Sequence, residues 1–484
     1  MNRRLPPLVL FVAAPLVLLA LYPLGVIKPR PAAITPTVAA LGEPTLPFVP
    51  TATFINSTWF CAGVPNTDTA KGGSVSVVNP SDAPLVGTVT VFSDDVAVKV
   101  AEKPFEAPAR STTSVVLADL QPTGKYLSAM VEIAGGGGFV EQKATAKDGN
   151  VVSPCSNSTS TSWYFADNYT LNGSTDDLVV TNPFPDDAIL DFTFASNDGT
   201  RKPQNLQGFP VPGRSIVVVS QANMPKDEAV LAVTIHASRG RVVAARAQHY
   251  AGERVGFSLT LGAPSLSDQW WFADGESSPD VAFERYSIYN PSDQDVAVTT
   301  NFWGLGDHAE FVGFRTDAVP AGNVISFTTA EFPGVPAGRH GMTFSTEGAP
   351  SIVVEQGITR KTGDSTVATS VVMGAPAVFN ASQRWSMAFG PDQTLDASLL
   401  VMNLDGVAGT VTVKALGPGG AVPVPGLEKL TLPASGVLAI SIPDQAGALG
   451  VPLVVEANQR IVVDRLLPRG GDLKGRSASL ALPG

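Results

Sequence analysis

The sequence predicts an all-β chain in which four tandem immunoglobulin-like β-sandwich repeats follow one N-terminal transmembrane helix. Three observations carry this. Gly (46) and Pro (40) are plentiful while charged residues make up only 15% of 484, a mixture that interrupts helices and suits short strands joined by tight turns. Residues 5–27 contain no charge and follow Arg3 and Arg4. A tryptophan with alanine three positions on recurs four times, at Trp59, Trp163, Trp270 and Trp385.

The N-terminal stretch is long enough to cross a bilayer as a helix. The positive-inside rule puts residues 1–4 in the cytoplasm, so 5–27 reads as a signal anchor. A cleaved signal peptide with its apolar region at Leu8–Leu21 is the alternative; no A-x-A site directly follows that stretch, which favours the anchor. Either way the remainder is expected outside the cytoplasm, in the membrane-bound or secreted form. Residues 28–50 are Pro-rich and read as a semi-rigid stalk.

The repeat is the decisive feature. The tryptophans are spaced by 104 (59 to 163), 107 (163 to 270) and 115 (270 to 385) residues. After each comes an apolar strand ending in Asn: Asn79, Asn182, Asn290 and Asn403, followed by Pro in the first three. A Pro-small corner precedes the next strand, and a Val-Val-acid strand follows, with Glu141, Glu355 and Asp464 as the acids and Ala245 in their place in the second repeat. The units run 51–157, 158–265, 266–378 and 379–484. About a hundred residues holding roughly seven strands fit a Greek-key sandwich; a ring of four blades is the runner-up, although a propeller blade needs only ~40–50 residues.

Trp59, Trp163, Trp270 and Trp385 are expected to anchor the sandwich cores, since a buried indole supplies a large apolar area. The Asn-Pro should end a strand and open a turn. The acid should cap a turn or pair locally. A position present in every repeat is more economically a requirement of the fold than four copies of one active site.

The motif pattern resembles an uncharacterised family of secreted or membrane-anchored actinobacterial proteins, with repeats of the form WYFA…NP…VVER. The resemblance spans residues 59–484. Trp163–Thr170 (WYFADNYT) and Trp270–Ser277 (WWFADGES) match best, and the first and fourth repeats depart at Cys61 and at Ser386–Met387. It implies an envelope location and brings no functional residues with it.

A net charge of −11 argues against nucleic acid as a partner, because phosphate backbones need basic patches. Cys61 occupies the place of Phe165, Phe272 and Met387, and Cys155 lies just past the closing strand of the first repeat. Exported chains with an even cysteine count usually pair them, so a Cys61–Cys155 disulfide is expected. The four histidines lack zinc-site spacing, and the acidic pairs Asp94–Asp95, Asp176–Asp177 and Asp186–Asp187 read as solvated turns rather than calcium loops. No nucleophile-elbow, zincin or Walker motif occurs. No catalytic, metal or cofactor site is therefore assigned, and the chain is read as not an enzyme.

Three functions compete at this point. The first is a membrane-anchored structural, scaffold or adhesion-type protein of the cell envelope, with an envelope protein as partner. The second is a binder of cell-wall polysaccharide, with Trp271, Trp303 and Tyr250 as candidate ligand-facing aromatics; Trp271 neighbours Trp270, so the two point to opposite faces of one strand. The third is a glycoside hydrolase whose carboxylate pair needs no local motif. If one copy has specialised, it is the third, where Trp303 and His308 share a loop region.

Overall fold

In the first repeat, Val and Thr alternate with small polar residues, and this period of two builds strands rather than helices. The strands are β1 (Asn56–Pro65), β2 (Ser74–Asn79), β3 (Leu85–Ser93), β4 (Ala101–Ala107), β5 (Ser111–Val116), β6 (Tyr126–Ala134), β7 (Phe139–Ala146) and β8 (Gly149–Pro154). They form two antiparallel sheets, ordered β1-β6-β3-β4 and β5-β2-β7-β8. The same two orders underlie each of the other repeats, whose Trp-bearing sheets gain one or two extra short strands, giving eight sheets. This computed structural model describes residues 46–484 except 68–69, 172, 305–310, 333–334, 336, 349–350, 377–381 and 445–446, and describes Phe311 and Val312 by backbone alone.

The all-β expectation holds, and each repeat is sandwich-like. The immunoglobulin-like strand order does not hold. An immunoglobulin domain keeps its first two strands side by side in one sheet, whereas here β1 and β2 lie in opposite sheets. Crossing over directly after β1 leaves that strand at the edge of its four-stranded sheet; its counterparts in the third and fourth repeats each pair with one further two-residue strand, Ala375–Pro376 and Leu482–Pro483.

The predicted helix at 5–27, the cytoplasmic tip and stalk residues 28–45 lie outside the described residues. Among the described residues no helix is long and apolar enough to cross a membrane. Residues 46–50 depart from the stalk expectation. Leu46 is buried, Val49 N donates to Pro483 O (2.8 Å) and Asn157 Nδ2 donates to Phe48 O (2.8 Å). Apolar Leu46 and Phe48 gain more from packing on the repeats than from extending into water.

Trp59, Trp163, Trp270 and Trp385 are all fully buried. Each indole removes about 200 Å² from water, roughly 4–5 kcal/mol. The Nε1 of Trp163, Trp270 and Trp385 donates to Val242 O, Ile352 O and Ile461 O. Trp59 Nε1 has no acceptor among the described residues.

The repeated asparagine joins two turns. Asn182 Nδ2 donates to Asp186 O in its own turn, and to Val211 O and Pro212 O at the corner about thirty residues on. Asn79 and Asn290 bond in the same way, and Asn403 makes the first and last of these contacts. A buried amide satisfied on several backbone carbonyls fixes both turns at once.

Residues 44–484 form one compact unit, and the repeats close into a ring. The closing strands β8, Gly256–Leu261, Ser365–Met373 and Arg476–Leu480 pack cyclically, each against the next and the last against β8. At one end of this hub Arg469 donates to Asp148 O, Val367 O and Lys474 O, which belong to the first, third and fourth repeats. A Cβ at Gly149 or Gly256 would come within 2.7 Å of its guanidinium, so Arg469 touches all four repeats. At the other end Leu46 and Pro47 lie among Pro154, Leu261, Met373 and Leu482.

Candidate functional site: the seams and the outer face of the third repeat

The Val-Val-acid position acts between repeats, not within one. Glu355 of the third repeat reaches into the second. Its Oε2 accepts from Ala166 N (2.7 Å) and Asp167 N (2.6 Å), the backbone just past the Trp163 core position. Arg246, also of the second repeat, grips both oxygens at 3.0 Å. Both side chains are wholly buried. Glu141 of the first repeat does the same to the fourth, accepting from Ala388 N (2.7 Å) and from Arg465 at 2.9 Å on each oxygen.

The third-to-fourth seam is a partial copy. Asp464 Oδ2 accepts from Ala273 N (2.8 Å) and Asp274 N (3.1 Å), but Gln356 stands where Arg246 and Arg465 stand elsewhere. Asp464 Oδ1 has no partner among the described residues. Burial, with Asp274 nearby, pushes its carboxyl up to about 7. The first-to-second seam has neither charge: Ala245 replaces the acid and Gln142 the base. A Cβ on Gly63 would meet the Ala245 Cβ at 3.2 Å, and Ser128 Oγ takes the Gly63 N–H at 3.3 Å instead.

The residue after the acid therefore alternates Gln142, Arg246, Gln356, Arg465, and each Arg serves the acid of the following repeat. A glutamate meets each arginine, and a shorter Asp or Ala meets each glutamine. The local pairing expected for this acid is corrected. Its donors are backbone N–H groups of the preceding repeat, and a backbone N–H leaves no mark in a side-chain motif.

Further charges are buried nearby. Arg254 pairs with Asp167 on both oxygens at 2.8 and 3.0 Å. Burial opposes ionisation of Asp167, but the Arg254 guanidinium outweighs it and holds the carboxyl below its ordinary value. Ser287 of the third repeat donates to the same carboxylate (2.9 Å). Asp176, fully buried against Asn168, is pushed by burial up to about 7.

Of the other acidic residues, Asp94 accepts from Lys125 N and Tyr126 N and Asp187 takes Gly213 N, each within its own repeat. Asp176 and Asp177 correct the solvated-turn expectation: both are buried on the strand Thr175–Asn182, and Asp177 crosses the first-to-second seam to bind Lys125 Nζ and Tyr126 OH of the first repeat. Among the described residues no group of three or more His, Cys, Asp or Glu is placed to hold a metal ion.

Cys61 and Cys155 form the expected disulfide, with Cα atoms 4.4 Å apart. It ties β1 to the residue after β8.

The candidate aromatics separate. Tyr250 is buried, bonded to Ser258 and covered by Arg254; it faces the hub, so its expected ligand-facing role is corrected. Trp271 and Trp303 are half-buried and share the outer face of one sheet. Trp271 lies opposite Thr343, and Thr343 lies opposite Asn301. Trp303 Nε1 (3.4 Å) and Asn301 Nδ2 (3.3 Å) both donate to Thr343 Oγ1. In the same row Phe314, opposite Asn301, is 68% exposed. The sequence reading missed Phe314; the alternation in FVGFRTDAV was the available signal. His308 lies outside the described residues.

Fold and seams together define a ring of four interlocked, sandwich-like β repeats. Residues 139–378 match the model of a family of unknown function, DUF5719. No curated protein matches the chain. Three solved structures show weak likeness. One is the crystal structure of Thermotoga maritima 1070, at 13% identity and TM-score 0.20 over 23% of this chain and 94% of that one. The second is a tetra-tandem repeat in the extending region of a large adhesion protein, at 12% and 0.11 over 88% and 99%. The third is a Bacteroides uniformis β-glucuronidase, at 10% and 0.13 over 47% and 27%. At these scores none carries an argument about fold or function.

Proposed function

We propose that this chain is a non-catalytic scaffold or adhesion-type protein of the cell envelope, tethered by residues 5–27 with its repeats outside the cytoplasm. The observation that carries the reading is the use made of the buried carboxylates. Glu141, Glu355 and Asp464 would be natural candidates for acid–base work, yet each is spent on joining one repeat to the next. Rigid, closed seams suit a body that presents its surface to a partner. The Cys61–Cys155 disulfide supports an oxidising compartment. Assignment to an exported actinobacterial family is part of the same proposal, and rests on the WYFA…NP…VVER pattern.

Fractionation of cells producing the full chain tests it, with thiols alkylated before and after reduction. The expected result is a membrane fraction released by detergent, with both cysteines protected until reduction. A soluble cytosolic protein with both thiols free overturns it.

A second reading, binding of wall polysaccharide, draws on the outer face of the third repeat.

A further inference from the structure

The four Trp-bearing sheets provide an internal comparison, because equivalent rows of side chains can be followed across each outer face. In the first repeat the two rows starting at Thr58 and Phe60 include Glu132 and Glu102. In the second, the row starting at Ser162 includes His236 and Asp191. In the fourth, the rows starting at Arg384 and Ser386 include Glu456 and Lys414. Every one of these faces carries ionisable side chains.

The third repeat differs. Its first row is Gln269, Ser345, Thr299 and Thr316; its second is Trp271, Thr343, Asn301 and Phe314. Neither row holds a charge. Trp303 lies beside the second, tied to it through Thr343. The polar members are already ordered: Thr299 and Thr316 hydroxyls are 3.2 Å apart, and Asn301 donates to Thr343. On a chain of net charge −11, two charge-free rows of amides and hydroxyls edged by aromatic rings are a departure at one fold position out of four.

We propose that this outer face of the third repeat binds a neutral saccharide chain. A pyranose presents an apolar C–H face, which an exposed ring covers, and a rim of hydroxyls, which amide and hydroxyl side chains bond. A charged ligand would find no counter-charge on these rows, and desolvating it there is costly. Four strands at about 4.8 Å spacing give a platform roughly 14 Å across, enough for an oligosaccharide. Phe314 is the stacking ring and Asn301 the hydrogen-bonding centre; Trp271 stands at the other end of the row, where its strand pairs with Ala375. The proposal does not depend on where the protein resides.

The test titrates the full chain in detergent with cellohexaose, maltohexaose and mannohexaose, with hyaluronan as the anionic comparison, by calorimetry. Variants are Phe314→Ala, Asn301→Ala and, on the equivalent face of the first repeat, Glu132→Ala. At least one neutral probe should bind. Phe314→Ala and Asn301→Ala should each weaken it about tenfold, while Glu132→Ala leaves it unchanged. Because Phe314 is exposed, its variant should melt with the parent, which thermal unfolding checks. No binding of any neutral probe overturns the proposal, as does binding unaffected by both variants or a preference for hyaluronan.

Discussion

Glu141 and Arg465 stand 324 residues apart in the chain and form a wholly buried ion pair, with both carboxylate oxygens gripped at 2.9 Å. This pair joins the first repeat to the last. A row of tandem repeats would leave Glu141 facing solvent; here its backbone donor, Ala388 N, and its arginine both come from the fourth repeat.

Breaking the pair from one side should be severe. Removing one member of a buried pair leaves the other uncompensated, at a cost of about 3–5 kcal/mol. Arg465→Met is expected to lower the unfolding free energy by that amount, and Glu141→Gln by less, because the amide oxygen can still accept from Ala388 N. Denaturant unfolding of both variants and of the double variant checks this. The double variant should be less destabilised than the sum of the two; simple additivity would mean the residues do not interact.

The alternation of Arg and Gln predicts how the seam that lacks the acid–arginine pair responds. Ala245→Glu places a carboxylate at the first-to-second seam, where the matching position holds Gln142 rather than an arginine and Gly63 is close by. It should destabilise by about 3 kcal/mol or more. Adding Gln142→Arg should recover part of the loss by rebuilding the arrangement of Arg246 and Glu355. Thermal unfolding of the single and double variants tests it, and a double variant no better than Ala245→Glu would refute the alternation.

Asp464 should make stability depend on pH near neutrality. Its carboxyl is raised in the folded state from 3.8 to about 7, so the fold favours the protonated form. Its contribution is therefore greatest at low pH and lost as pH rises from about 4 to about 7, the reverse of an ordinary salt-bridged carboxylate. Asp176, also raised to about 7, acts in the same direction. Asp464→Asn keeps an oxygen for Ala273 N and Asp274 N, and should stabilise the protein at pH 8 by on the order of 1–3 kcal/mol while flattening part of the slope. Gln356→Arg should flatten it too, by supplying a guanidinium that holds Asp464 ionised. Unfolding curves between pH 4 and 8 measure both.

Reduction of Cys61–Cys155 should destabilise the first repeat. The bridge spans 94 residues, and the chain-entropy model gives up to about 4.7 kcal/mol for a loop of about 100. Melting with and without reductant reads the loss, which a Cys61→Ala, Cys155→Ala double variant should reproduce without reductant.

Some of this molecule is legible in its sequence. The alternation of Val with small polar residues determined strands, because period two admits no helix with a buried face. Recurrence of Trp and Asn determined four copies of one unit, since a buried indole and a turn-joining amide are needed wherever that unit folds. Cys61 and Cys155, at the two edges of one repeat, determined the disulfide. The tertiary structure alone decided how the copies meet. Glu355 finds its donors at Ala166 and Asp167, and a backbone N–H looks alike in every residue, so no motif could name the partner. Likewise Tyr250 and Phe314 are both aromatic residues on strands; the first is covered by Arg254 and Tyr169 of its own repeat and Val371 of the next while the second is left to solvent, a difference of tertiary packing that the alternation along a strand does not record.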